Sequence, residues 1–146
     1  LVGATLSMGT LITKPEFGVI SLLESSLVPL FATLSPLLVV IIFVLWAGFQ
    51  TNVSSNLVTV SVVTTVLTTV YATGSIEVQA GTIACLIGFM ASLAFMTPPS
   101  MPYVAISVGS GWTNAKDAFL YGGVLFLLSA ISAIVIGYPL GVFFGI

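Results

Sequence analysis

The sequence predicts an all-α membrane protein that enters or crosses the bilayer several times. Charged residues make up only 4% of the 146 residues, against about 25% in an average soluble domain. Hydrophobic residues make up 58%, and the mean hydropathy is +1.28. The apolar runs approach the length of about 20 residues that a helix needs to span a bilayer. A water-soluble domain of this size would need far more surface charge, so that class is excluded.

The small number of ionisable residues also limits the function. The chain has no histidine and a single cysteine, so a Ser-His-Asp or Cys-His arrangement and the usual zinc sites are excluded. Its two basic residues are too few to neutralise a nucleic-acid backbone. Cys85 lies in an apolar run, where we expect a small buried side chain. We therefore expect neither an enzyme nor a nucleic-acid-binding protein.

The first two segments do not have the length and polarity of spanning helices. Residues 1–13 are too short to cross the bilayer, and we interpret them as the end of a truncated transmembrane helix. We accordingly expect the chain to be part of a longer protein. In residues 14–34, apolar side chains recur at helical spacing while serine and glutamate lie off that stripe. This pattern predicts an amphipathic arm helix at the membrane interface.

Residues 35–73 contain two apolar stretches that flank a polar segment, 50–57. One straight helix over 36–72 would be about 55 Å long, nearly twice the hydrocarbon thickness of about 30 Å. We therefore predict a re-entrant hairpin whose polar tip, 50–57, lies at mid-depth. The alternative is a full crossing by each arm, with a short polar loop outside the membrane.

Residues 77–111 are predicted to form a discontinuous transmembrane helix that is broken at 96–102. The break contains Pro98, Pro99 and Pro102, and proline removes a backbone donor and clashes with the preceding helical turn.

Residues 117–146 are predicted to form a final transmembrane helix, long enough to span with tilt. Gly137, Gly141 and Gly145 recur every four residues along it. Small residues at this spacing favour close helix packing in membranes, so we expect these three to lie at a helix contact.

The two interruptions, at 50–57 and 96–102, carry the functional interpretation. Backbone that leaves helical geometry in lipid exposes amides and carbonyls, each costing several kcal/mol, unless protein or a water-filled cavity receives them. Secondary transporters use such breaks to bind substrate, because free N–H groups at helix starts meet anions while carbonyls and hydroxyls coordinate a cation. The structural alternatives are loops at the water interface and a simple proline kink. A channel that uses the tip as a filter and a scaffold that assembles through its glycines are the competing functions.

The two interruptions also resemble motifs of a known family. The tip reads Thr51-Asn52-Val53-Ser54-Ser55-Asn56-Leu57, the break reads Phe95-Met96-Thr97-Pro98-Pro99-Ser100, and Gly109-Ser110-Gly111 follows. These segments resemble the second of two inverted repeats in the divalent anion/sodium symporters, the INDY-type dicarboxylate transporters of the ion-transporter superfamily. That repeat contains an interfacial arm helix, a re-entrant hairpin, a broken helix and a final spanning helix.

The resemblance implies a homodimeric, multi-pass symporter of the plasma or inner cell membrane. It would move C4-type dicarboxylates with sodium (Na⁺) by an elevator-like motion, and its binding sites would be completed by an N-terminal repeat that this chain lacks. The implied sodium ligands are Thr51, Ser54, Asn56 and the carbonyl of Met96. The implied substrate-binding residues are Ser55, Asn56, Thr97 and Pro98.

Two positions depart from the family motif. Leu57 stands where the motif has a threonine, and Ser100 stands where the turn usually has an asparagine. Both changes remove polar contacts to a carboxylate. Sodium-independent exchange of dicarboxylates, which some relatives perform, is therefore the alternative to symport.

Overall fold

The computed structural model describes residues 18, 25–26, 29–31, 33–74 and 78–146, and the regular elements in these ranges are all helical. This confirms the predicted all-α class for that part of the chain. The helices are α1 (Pro36–Val53), α2 (Asn56–Ala72), α3 (Ala80–Ala91), α4 (Pro102–Gly109), α5 (Ala115–Ser132) and α6 (Tyr138–Phe144), with a π-helical turn, Ala133–Gly137, joining the last two. The predicted segment 1–13 lies outside the described residues, as does most of the predicted arm helix, 14–34.

Helices α1 and α2 follow each other with only Ser54 and Ser55 between them. Pro36 begins α1, where its missing N–H has no helical partner to lose. The polar segment 50–57 is therefore helical except at these two serines. It stays helical because its side chains find partners inside the protein, as the Asn52 amide does by donating to the carbonyl of Gly48 at 2.7 Å.

The core lies between α1, α2 and α3, which pack on one another. Phe43, Leu67 and Ile83, one from each helix, are fully buried there. The ring of Phe31, which precedes α1, stacks on Phe43 with 5.4 Å between the ring centroids. Close packing of such large apolar side chains contributes van der Waals attraction, which holds helices together in a membrane.

Helix α3 ends at Ala91, before the break that the prolines predict. The chain has no regular secondary structure over 93–95, turns over 98–100 and resumes as α4 at Pro102. The early end has a local cause, since the hydroxyl of Ser92 donates to the carbonyl of Phe89 at 2.7 Å and takes the place of a helical partner.

The final helix, Ala115–Phe144, contains α5, the π turn and α6, and its 30 residues make it about 45 Å long. Asn114 caps its start by accepting the N–H of Asp117 at 2.8 Å. In the π turn, the N–H of Tyr138 donates to the carbonyl of Ala133 rather than to a carbonyl four residues back. Because Pro139 has no N–H and crowds the preceding turn, the wider turn accommodates it.

Glycines let the final helix pack closely on α3. A Cβ atom at Gly137 would lie 2.7 Å from the Leu86 side chain, and one at Gly141 would lie 2.4 Å from that of Thr82. Gly145 differs from the expectation of helix packing, because it ends α6 with a left-handed φ of 71° and has open space around it. A left-handed φ at the residue after a helix is a common use of glycine.

Within the described ranges, two helices are long and apolar enough to cross a membrane: Pro36–Val53 and Ala115–Phe144. The final helix leaves many large apolar side chains exposed, with Phe143 at 82%. Cys85 is also exposed, contrary to the expectation of burial. Ile83 and Leu86 lie on the buried face of α3, whereas Cys85 lies off that face.

Candidate functional site

Four helix ends converge at one place in the described structure. The hydroxyl of Thr51, in the last turn of α1, lies 2.7 Å from the carbonyl oxygen of Ala91, the last residue of α3. The same hydroxyl lies 2.8 Å from Oδ1 of Asn56, the first residue of α2. The Asn56 amide in turn donates to the sulfur of Met101, the N-cap of α4, at 3.8 Å. Two helix C-termini and two helix N-termini therefore meet around Thr51 and Asn56.

The C-terminal ends of α1 and α3, together with the first residue of α2, form an oxygen cluster, defined by Thr51 Oγ1, the carbonyl of Ala91 and Asn56 Oδ1. Thr51 is fully buried, and its single hydroxyl proton faces two acceptors at 2.7 and 2.8 Å. A hydroxyl can satisfy only one of them at a time with a linear bond. With the Asn56 amide oriented so that Oδ1 faces Thr51, the cluster has one more acceptor than it has protons, and oxygens that converge in this way can bind a cation.

The ligand types in the oxygen cluster are a hydroxyl, an amide oxygen and a main-chain carbonyl. Hard cations prefer such oxygen ligands. No group of three histidine, cysteine, aspartate or glutamate residues that could hold a metal occurs in the described ranges. A neutral set of oxygens fits a monovalent hard cation, for which dehydration is less costly than for a divalent ion.

The N-terminal ends contribute unpaired N–H groups. In α2, the Ser55 hydroxyl accepts the N–H of Val58 at 3.3 Å, and the Ser55 carbonyl accepts that of Thr59 at 2.9 Å. The N–H groups of Asn56 and Leu57 have no partner among the described residues. Such N–H groups at the positive end of a helix bind anions.

Asn52 clamps the end of α1 to the broken segment. Its Oδ1 accepts the backbone N–H of Met96 at 2.7 Å, and its main-chain carbonyl accepts the hydroxyl of Thr97. Its amide nitrogen donates to Gly48, one turn earlier in α1. The side chain is 2% exposed, so water does not compete for these bonds. The clamp holds Met96 and Thr97 beside the residues that form the oxygen cluster.

The residues predicted to bind sodium differ in whether they contact one another. Thr51 and Asn56 are in direct contact within the oxygen cluster. Ser54 lies in the connection between α1 and α2, and its backbone N–H donates to the carbonyl of Gln50 at 2.8 Å. Met96 is held by its N–H, and the carbonyl that contacts Thr51 belongs to Ala91.

The residues predicted to bind substrate lie on both sides of the clamp. Ser55 and Asn56 form the start of α2, where Ser55 serves as the N-cap. Thr97 uses its hydroxyl to bond the end of α1. Pro98 is half-buried in the turn that follows.

The turn of the break is closed by its own side chains. The hydroxyl of Ser100 donates to the carbonyl of Thr97 at 2.5 Å, and Ser100 is 8% exposed. The hydroxyl of Tyr103 donates to the carbonyl of Ala94 at 3.3 Å, and its ring packs on Phe95 with 5.9 Å between centroids. Ser100 therefore stabilises the turn, so this position does not supply the free polar group that the family motif has there.

No charged side chain lies in the site as the structure describes it. The charged residues of the described ranges are Lys116 and Asp117, both at the start of α5. The described part of the site therefore offers an ionic ligand only neutral dipoles and helix ends.

Two participants were not predicted from the sequence, namely the carbonyl of Ala91 and the side chain of Asn52. A carbonyl ligand carries no signal in its residue type, and Ala91 lies ahead of the prolines that mark the break. Asn52 did carry a signal, because an asparagine within an apolar helix needs both an acceptor and a donor to be buried.

The chain matches no protein-family model, and it matches no curated protein. The chemistry of the site is accordingly inferred from its own atoms and from the motifs at 51–57 and 95–100.

Proposed function

We propose that this chain is the second repeat of a sodium-coupled secondary transporter for small divalent anions such as C4 dicarboxylates. The observation that carries the proposal is the convergence of two helix C-termini and two helix N-termini on Thr51 and Asn56. The negative ends of helices favour cations and the positive ends favour anions. A site that combines both suits a transporter that binds an anion together with a cation.

The cation half of the proposed site is the oxygen cluster. Thr51, Asn56 and the carbonyl of Ala91 would bind sodium there, with Ser54 and the carbonyl of Met96 as the further ligands that the motif resemblance implies. Sodium here is transported together with the substrate. Its entry would turn the Thr51 hydroxyl proton away from the acceptors it now faces at 2.7 and 2.8 Å.

The anion half is the start of α2 together with the break. The free N–H groups of Asn56 and Leu57 would bind one substrate carboxylate, with Ser55, Thr97 and Pro98 at its edge. The amide nitrogen of Asn56 is available for this role, because its partner in the structure is a methionine sulfur at 3.8 Å, a weak acceptor. Asn56 therefore joins the two halves, its oxygen facing the cation and its nitrogen facing the anion.

The lack of charge explains why the two ligands would be coupled. Among the described residues, no lysine or arginine lies in this site, so the charge of a dianion would be balanced mainly by the bound cation. Opposite unit charges about 4 Å apart attract by about 4 kcal/mol at the effective dielectric constant of a partly buried site. That energy corresponds to a change in affinity of roughly a thousandfold.

The proposal extends to the membrane around the chain and to the other parts of the assembled protein. Its apolar helices would lie in the cell membrane as part of a multi-pass protein, with an N-terminal repeat of the same protein completing the binding sites and a second copy forming a homodimer. The large exposed side chains of the final helix, such as Phe143 and Leu120, support a lipid or protein environment for that surface. The broken backbone at 92–101 would be shielded from lipid by the α1–α2 pair.

The proposal is tested by measuring the melting temperature of the purified full-length protein with succinate, with sodium, and with both. We expect succinate to stabilise the protein only when sodium is present, by about 2.7 kcal/mol at a hundredfold excess over its dissociation constant. Asn56→Ala should abolish this stabilisation. Asn114→Ala is the matched control, since Asn114 caps α5 away from the site.

The outcomes separate the competing functions. Equal stabilisation with and without sodium would support the sodium-independent exchanger. No stabilisation of the wild-type protein by any small dicarboxylate would contradict a carrier of this class, as a channel or a scaffold predicts. Undiminished stabilisation of Asn56→Ala would contradict the assigned site.

A further inference from the structure

The final helix touches the main chain of the break at Gly122. A Cβ atom added at this glycine would lie 2.5 Å from the carbonyl oxygen of Phe95, 2.7 Å from its carbonyl carbon and 2.8 Å from the Cα of Met96. All three atoms belong to the backbone, so none of them can swing aside as a flexible side chain would. Gly122 is buried, and only glycine permits this approach.

The neighbouring glycine provides a comparison within the same helix. A Cβ atom at Gly123 would meet only the terminal methyl group of Met96, at 3.8 Å, which is an ordinary contact with the flexible end of a side chain. Both glycines lie inside α5, so alanine should change the helix propensity of α5 equally at the two positions. They differ in whether the added methyl group would force the backbone of the break to move.

Hydrogen bonds connect the backbone that Gly122 contacts to the proposed sodium site. Met96 donates its N–H to Asn52 at 2.7 Å, and the hydroxyl of Thr97 donates to the main-chain carbonyl of the same asparagine. Asn52 adjoins Thr51, which contacts the carbonyl of Ala91 at 2.7 Å. A displacement of Phe95 and Met96 is therefore transmitted through Asn52 to the oxygen cluster.

We propose that Gly122 is a positioning residue of the cation site. By allowing α5 to lie against the Phe95 carbonyl, it sets where the broken segment stands relative to the end of α1. The position of the final helix and the geometry of the oxygen cluster are thereby linked. The effect on sodium rests on the proposed function, whereas the link between Gly122 and Met96 does not.

The first experiment tests that link alone. In the full-length protein, hydrogen exchange at the Met96 amide is followed by NMR for Gly122→Ala, Gly123→Ala and wild type. We expect exchange at Met96 to be about tenfold faster in Gly122→Ala, because the added methyl group strains the bond to Asn52. Exchange in Gly123→Ala should equal that of the wild type. Equal exchange in all three proteins would overturn the proposal.

The second experiment tests the consequence for the ion. The sodium concentration that gives half-maximal uptake should rise about fivefold in Gly122→Ala, and the ratio of sodium-driven to lithium-driven uptake should change, because the spacing of oxygens determines which ion fits. Gly123→Ala should alter neither value. A loss of folded protein alone would lower the maximal rate and leave both values unchanged, and that result would overturn the positioning role.

If Gly122→Ala does not fold, a measurement on the wild-type protein tests the link between Gly122 and the break instead. Solid-state NMR with ¹³C labels should give a cross-peak between the Gly122 α-carbon and the Phe95 carbonyl carbon, and sodium should shift both resonances. A shift of Phe95 without one at Gly122 would overturn the link. If Met96 exchange responds to Gly122→Ala while sodium affects no variant or wild type, the link holds and the proposed sodium coupling is wrong.

Discussion

The side-chain oxygen of Asn52 accepts the backbone N–H of Met96 at 2.7 Å, across 44 positions of the chain. This bond joins the last turn of α1 to the non-helical segment between α3 and α4. The site at Thr51 and Asn56 depends on it, because both interrupted elements must keep their relative position for the four helix ends to converge.

Replacing Asn52 with alanine leaves the partly buried N–H of Met96 without its partner. An unsatisfied buried polar group costs about 1–3 kcal/mol, so the free energy of unfolding should fall by about that amount. Thermal unfolding of the full-length protein measures the loss. Val53→Ala, at an adjacent side chain that is 71% exposed, should change it by less than about 0.5 kcal/mol. Equal stability of the Asn52 and Val53 variants would contradict the clamp.

Removing the Thr51 hydroxyl should weaken sodium binding with little change in shape. Thr51→Val deletes one oxygen of the cluster, and we expect the half-saturating sodium concentration for uptake to rise about tenfold. Thr51→Ser keeps the oxygen and should stay close to the wild type. The assignment of Thr51 as a ligand is wrong if valine and serine give the same sodium dependence.

Thr59 differs from Thr51, since its fully buried hydroxyl has no partner among the described residues. A buried hydroxyl without a partner costs free energy, while the methyl group of valine has nearly the same volume. Thr59→Val should therefore leave sodium dependence unchanged and stabilise the protein by about 1 kcal/mol. Calorimetry that shows destabilisation instead would reveal that this hydroxyl has a partner in the assembled protein.

The predicted re-entrant hairpin and its alternative differ in how the connection between α1 and α2 meets water. In a background with the exposed Cys85 replaced by serine, Val53→Cys places a thiol next to that connection, at a side chain that is 71% exposed and is not one of the proposed sodium ligands. If the connection lies at mid-depth beside the substrate, sodium with succinate should slow labelling by a membrane-impermeant reagent about tenfold. Labelling from one side at a rate that ligands do not change would support two full crossings joined by an outside loop.

Helix starts were predictable wherever the chemistry is local. Pro36 and Pro102 begin α1 and α4 because proline is tolerated in a first helical turn. The polar composition around Thr51 and Asn56 likewise identified the place where the helix ends meet, because buried amides and hydroxyls in an apolar chain require partners.

Features that depend on tertiary contacts were not predictable. The continuation of α1 through Val53 requires Asn52 to be satisfied by Met96, which lies far along the chain. The Ala91 carbonyl becomes available only because α3 ends early, and the prolines of the break do not mark that end. The contact of Gly122 with Phe95 depends on how α5 lies, whereas the sequence drew attention to the glycine spacing further along the final helix.

Coupling of succinate transport to sodium is tested most directly by uptake of succinate into liposomes that contain the full-length protein. Labelled succinate is supplied outside, with sodium either present as an inward gradient or replaced by choline. We expect succinate to accumulate above its external concentration with the gradient, to enter slowly without it, and not to accumulate in Asn56→Ala. Uptake that never exceeds equilibration, or that is the same with sodium and with choline, would contradict sodium-coupled transport.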